Sequence, residues 1–187
     1  MHISSKWLLA EIVGIGAVIV LLNIAGHPQL LPYQWHKLLH IVGATLFLGN
    51  TVVTAVWMAL AAQTNNTATL HFAVKAVNWA DVFFTAPGIL LLLANGQIMA
   101  TAAWGGMGAS WLVVALGLFA LSGILWSAFL LRFQHRLIQL SAQPSESGAP
   151  LPAAFFHTLH AWYVAGTVAL ISPLVSLVLM VVKPKFW

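Results

Sequence analysis

The side chains best equipped for chemistry here are the histidines: eight of them, against seven Lys or Arg and three Asp or Glu. Neutral imidazole binds a metal at low charge cost, which suits an apolar surrounding. His36 and His40 are four apart and share one helix face. His157 and His160 are three apart and share another. The chemistry this suggests is haem b ligation, in which an imidazole nitrogen holds the iron and a second helix supplies the opposite face. His40 and His160 are the first candidates for haem iron, and His36, His71 and His157 extend the cofactor-binding set. Lys37 adjoins His36 and stands near His40. It could meet a haem propionate, or equally extend its ammonium to the headgroups.

These residues sit in a chain of 187 that is 61% hydrophobic and only 5% charged. A soluble domain carries about a quarter charged residues, so ten charges cannot make a water-soluble surface. That excludes a soluble enzyme, a nucleic-acid binder and a disordered protein. No cysteine is present, which removes disulfides, thiolate metal sites and thiol nucleophiles. A bilayer crossing takes about 20 apolar residues. Hydrophobic runs, polar turns and Gly/Pro breaks predict helices over residues 7–25, 33–62, 70–103, 110–133 and 156–182. The fold class is therefore all-α: a polytopic membrane helical bundle of five transmembrane helices in one domain, 1–187. The first helix is read as a crossing rather than a cleavable signal, because Glu11 interrupts it and no small-residue cleavage site follows. The third is too long for one straight crossing. Its first turns, with His71, Lys75 and Asp81, are expected at the headgroups, and Pro87-Gly88 permits a kink. Residues 134–156 are expected to form the one substantial loop.

Five crossings place the termini on opposite sides. The N-terminal side, side A, receives Lys6, Lys75, Arg132 and Arg136; side B receives Lys37, Lys183 and Lys185. The asymmetry points to a cytoplasmic N-terminus and a bacterial inner membrane. Most of the nine Trp fall near helix ends, as an aromatic belt requires. His27, His36 and His40 fall on side B; His71, His135, His157 and His160 fall on side A, with His2 nearby. His40 and His160 thus enter from opposite sides and would serve different haems. The consistent groupings are His27, His36 and His40 on side B, and His71 with His157 or His160 on side A. Two sites near opposite faces suit electron transfer across the membrane. The plainer readings are interfacial, wet rings for His2, His27 and His135, an Asp81–Arg132 pair that lowers the cost of both charges, and hydrogen bonds from Asn95 and Gln97 across helices. Glycines 14, 16, 43, 49, 117 and 123 mark close helix packing.

Four segments carry a family resemblance. They are Lys37-Leu-Leu-His40-Ile-Val-Gly43-Ala44 with Gly49 beyond it, Ala80-Asp81-Val-Phe-Phe-Thr-Ala-Pro87-Gly88, Leu121-Ser-Gly123-Ile-Leu-Trp126, and Leu179-Met-Val-Val-Lys183-Pro184. In this order they resemble the predicted integral-membrane family of domain of unknown function 2269, over about residues 33–185. The first helix looks like an addition to a four-helix core. The Lys37–His40 segment is also similar to one in membrane protoporphyrinogen oxidases and in copper-resistance membrane domains. That likeness is confined to one helix, so no catalytic residue carries over. The resemblance implies a small bundle with an important His40, and no particular substrate.

Three functions compete. A haem b protein in electron transfer or redox chemistry fits the histidines; its partners would be a quinone, a tetrapyrrole or a redox protein. A copper or small-solute transport or resistance protein needs a polar interior, for which Asn95, Gln97 and threonines are the candidates. Copper has little support, since the methionines form no paired motif. A non-catalytic subunit of a larger complex, or an oligomer in the lipid bilayer, fits the short loops. No HExxH, nucleophile elbow or phosphate loop is present, so the sequence leaves enzymatic status open.

Overall fold

The computed structural model describes the backbone of residues 5–187 and the side chains of residues 10–187. His2 and the side chains of Lys6 and Trp7 lie outside the described residues. Every regular element is helical: α1 (Ser5–Ile24), α2 (Tyr33–Gln63), α3 (Thr67–Trp104), α4 (Ser110–Ser147) and α5 (Ala153–Val182). The last four are long and apolar enough to cross a membrane, and α1 contributes a shorter apolar stretch, Ala10–Ile24. This is the helical membrane bundle the composition requires.

The helix ends follow local chemistry. Asn66 caps α3 by accepting the Thr69 N–H through Oδ1 at 3.0 Å. Gly105 ends α3 at φ 63°, and the Gly106 N–H reaches back to the Ala100 carbonyl. A left-handed residue at this position favours glycine. Gly148 stops α4 in the same way at φ 69°.

Both α3 and α4 have 38 residues, about 57 Å at 1.5 Å per residue. Each is one continuous rod interrupted by a π-turn, Asp81–Thr85 in α3 and Trp126–Leu130 in α4. Pro87 follows directly on the α3 π-turn, in which the Ala86 N–H reaches the Asp81 carbonyl five residues back. The expected kink site is thus preceded by a change of hydrogen-bond register.

The loop expected over residues 134–156 is a correction. Helix α4 continues through its polar stretch to Ser147, past the boundary expected at Phe133. Gln134, Leu137, Ile138 and Ser141 recur at helical spacing and are buried. They pack on the first half of α3 and the start of α5, around Leu70, Val74, Val77 and Phe155. Polarity on the outer face of that stretch concealed the helix.

From α2 to α5 each helix runs antiparallel to the next. Helix α2 packs along the second half of α3, and the first half of α4 packs along α5. The α2–α3 crossing is a backbone contact. A Cβ built on Gly43 would lie 2.6 Å from the Leu92 nitrogen and 2.7 Å from the Gly88 carbonyl oxygen. Of the six glycines expected to mark close packing, Gly43 does so. Gly14, Gly16, Gly49, Gly117 and Gly123 face open space.

Candidate membrane-embedded binding site

The buried face of α3 carries a column of polar side chains, and each finds its partner on another helix. At one end, His71 Nδ1 donates to Ser141 Oγ at 2.8 Å, because that hydroxyl hydrogen is already given to the Leu137 carbonyl. Two turns on, Asn78 Nδ2 donates to Gln134 Oε1 at 3.4 Å. Asp81 and Thr85 follow, and at the far end Asn95 Oδ1 accepts from His36 Nδ1 at 2.8 Å.

Asp81 is the centre of this column, only 6% exposed. Its Oδ2 accepts from Gln134 Nε2 at 2.7 Å. Its Oδ1 accepts from the Thr85 hydroxyl at 2.8 Å and from Asn50 Nδ2 at 3.3 Å. Asn50 Nδ2 also donates to Thr85 Oγ1 at 2.9 Å. Three helices thus hold one carboxyl group. The expected Asp81–Arg132 pair does not form: Arg132 is exposed, and Asp81 has no basic partner among the described residues. The helix turn decides this. Residue 134, not 132, lies on the α4 face buried with Leu137 and Ser141.

A cavity of about 390 Å³ opens beside this group. Asp81, Thr85 and Gln134 lie on its wall with five aromatic rings, Phe47, Phe119, Trp126, Trp162 and Tyr163. Ile12 and Ile15 of α1 contribute to it from outside the four long helices. Among the described residues the wall includes no Lys, Arg or His. Asp81 and Trp126 open the two π-turns, so both register changes border one cavity. Such turns are frequent at functional sites. The Ser122, Ser127, Thr51, Thr54 and Thr167 hydroxyls on the wall all donate to main-chain carbonyls. Their hydrogens are used and their lone pairs remain. The Trp126 indole lies near Asp81 without meeting hydrogen-bond geometry, and the Trp162 indole nitrogen and Tyr163 hydroxyl are buried with no partner.

The histidines are distributed differently. His36 is buried with both ring nitrogens engaged, Nδ1 with Asn95 and Nε2 with the Leu31 N–H at 3.4 Å. His40 is half-buried; its Nδ1 donates to the Leu92 carbonyl at 2.7 Å. Gly96 makes room for that ring, since a Cβ there would lie 3.0 Å from two of its atoms. Lys37, His157 and His160 are exposed. His135 is exposed too and bonded to Gln139. Among the described residues no three His, Asp or Glu side chains cluster where they could hold a metal ion.

Sequence reasoning missed Asn50, Asn78, Gln134 and Ser141. A signal was present: His71, Asn78 and Thr85 are seven apart on α3, as are Gln134 and Ser141 on α4. Seven-residue spacing keeps one face, so two polar ladders were bound to meet once the helices packed.

No curated protein and no solved structure matches this chain. A family model described as "Predicted integral membrane protein (DUF2269)" matches residues 34–184, from the start of α2 to just beyond α5, and leaves α1 outside. With most of its length and all four long helices inside that match, the chain belongs to the DUF2269 family of predicted integral membrane proteins.

Proposed function

We propose that this protein takes a small lipid-soluble solute from the bilayer into the Asp81 cavity and works in its transport or in resistance to it. The observation that carries this reading is the convergence on one apolar cavity of both π-turns and a carboxyl group held by three helices. Ligand sites have this character: mostly apolar walls with a few convergent polar groups. An ionisable side chain inside a membrane protein is costly and marks function by default. The transport reading needs interior polar groups, and Asn50, Asn78 and Gln134 supply more than Asn95 and Gln97 alone. The proposed location is a bacterial inner membrane with the N-terminus cytoplasmic.

The test is solute uptake by the purified protein in proteoliposomes. A panel of lipophilic solutes is expected to contain one whose uptake requires the protein and falls at least tenfold in Asp81→Asn. Uptake that is indifferent to Asp81 across the panel refutes the reading.

A second reading, a haem b protein in electron transfer, rests on His40. Its Nδ1–H is fixed on a main-chain carbonyl, the arrangement that orients an imidazole for ligation through Nε2. His36 has no free ring nitrogen, so the opposite axial ligand has to come from elsewhere. The exposed His157 and His160 are available to a separate haem. The purified protein would then show a Soret band that His40→Ala removes. A colourless protein from haem-replete cells ends this reading, along with its quinone, tetrapyrrole or redox-protein partners.

A further inference from the structure

We infer that the solute of the Asp81 cavity is an organic cation. This rests on the cavity being the binding site, as proposed above. Among the described residues the charge on the wall is one-sided, with one carboxyl group and no basic residue. Arg132, the residue expected to pair with Asp81, is exposed. A buried carboxylate without a counter-charge is costly, and several donors offset only part of that cost. Asn50, Thr85 and Gln134 all donate to Asp81, so the network is arranged around an anion. The missing member is a positive charge.

The rest of the wall suits that charge if it is diffuse and carried on apolar groups. Phe47, Phe119, Trp126, Trp162 and Tyr163 present five rings, and aromatic faces attract ammonium and similar cations most strongly where water is excluded. The hydroxyls of Thr51, Thr54, Ser122, Ser127 and Thr167 have given their hydrogens to main-chain carbonyls and can only accept; of the other wall hydroxyls, Thr85 donates to Asp81 and Tyr163 is without a partner. A bare inorganic ion would need several oxygen ligands at short range, whereas this wall is mostly apolar. The carboxylate, the rings and the acceptor hydroxyls therefore select a hydrophobic cation that enters from the bilayer.

The test compares methyltriphenylphosphonium with triphenylphosphine oxide, neutral and of similar shape, by calorimetric titration of the full-length protein in detergent. The wild type is expected to bind the cation at least tenfold more tightly than the oxide. Asp81→Asn should abolish that preference while leaving weak binding of both, which also shows that the variant is folded. Equal affinity for the two probes overturns the inference but not the binding site. Tighter binding of the oxide, weakened by Tyr163→Phe, overturns it in favour of an acceptor-bearing ligand. Absence of binding by both probes overturns the inference and removes support from the cavity as well.

Discussion

Replacing Gly43 by alanine tests the packing that brings α2 to the site. The added methyl group would stand 2.6 Å from the Leu92 nitrogen, 2.7 Å from the Gly88 oxygen and 3.0 Å from the Leu91 Cβ. The two closest atoms are main chain and cannot swing aside. Ordinary contact begins near 3.4 Å, so the helices must separate by about 0.8 Å, which forfeits a quarter to a half of each dispersion contact along the crossing. Overpacking of this kind costs about 1–3 kcal/mol. We expect the upper half of that range, because the strain falls on backbone. The same displacement stretches the His40–Leu92 bond, now 2.7 Å, and the Asn50–Thr85 bond, now 2.9 Å. The assay is reversible unfolding in mixed micelles, with Gly49→Ala as the control on the same helix, where a Cβ meets nothing within 4 Å. Gly49→Ala should be neutral or slightly stabilising, since alanine is the better helix former. A Gly43→Ala protein as stable as Gly49→Ala would refute the close crossing and the α2 register with it.

Two further predictions follow from the same contacts. Gln134→Ala removes the shortest bond to Asp81 and should cost about 1–2 kcal/mol, whereas Arg132→Ala should stay within about 0.5 kcal/mol; equal costs in the unfolding assay would restore the rejected ion pair. Reporter fusions after Thr64 and after Gly148, which follow α2 and α4, the two helices antiparallel to α3, should report the same side of the membrane, and opposite signals would break the helix count.

The bundle was legible because its cause is compositional. A chain 61% hydrophobic with ten charges has to place apolar helices in lipid, and Gly/Pro punctuation located their ends to within a few residues. The extension of α4 to Ser147 was not legible in the same way. Hydropathy averages over a whole turn, and residues 131–147 are polar on average. Only the spacing of Gln134, Leu137, Ile138 and Ser141 shows a face that another helix covers. Gly43 was legible as a packing glycine, but so were five others that meet nothing across a helix interface; a missing side chain does not say which backbone will approach.

The histidines drew attention to both ends of the bundle because imidazole has well-known chemistry wherever it is found. The cavity lies between those ends, and its parts are common residues: Asn, Gln, Thr, Trp. Their meaning comes from position on a helix face, a property of pairs and triples rather than of types. Gln134 reads as the start of a polar loop until residues 134 and 141 are placed against 71 and 78. It then becomes the donor that replaces an arginine at Asp81. The consequence for the charge is direct. An ion pair between Asp81 and Arg132 would have closed the site with its own counter-ion. Amide and hydroxyl donors instead orient the carboxyl group without supplying a counter-charge, so the cavity keeps a carboxyl group that a ligand can answer.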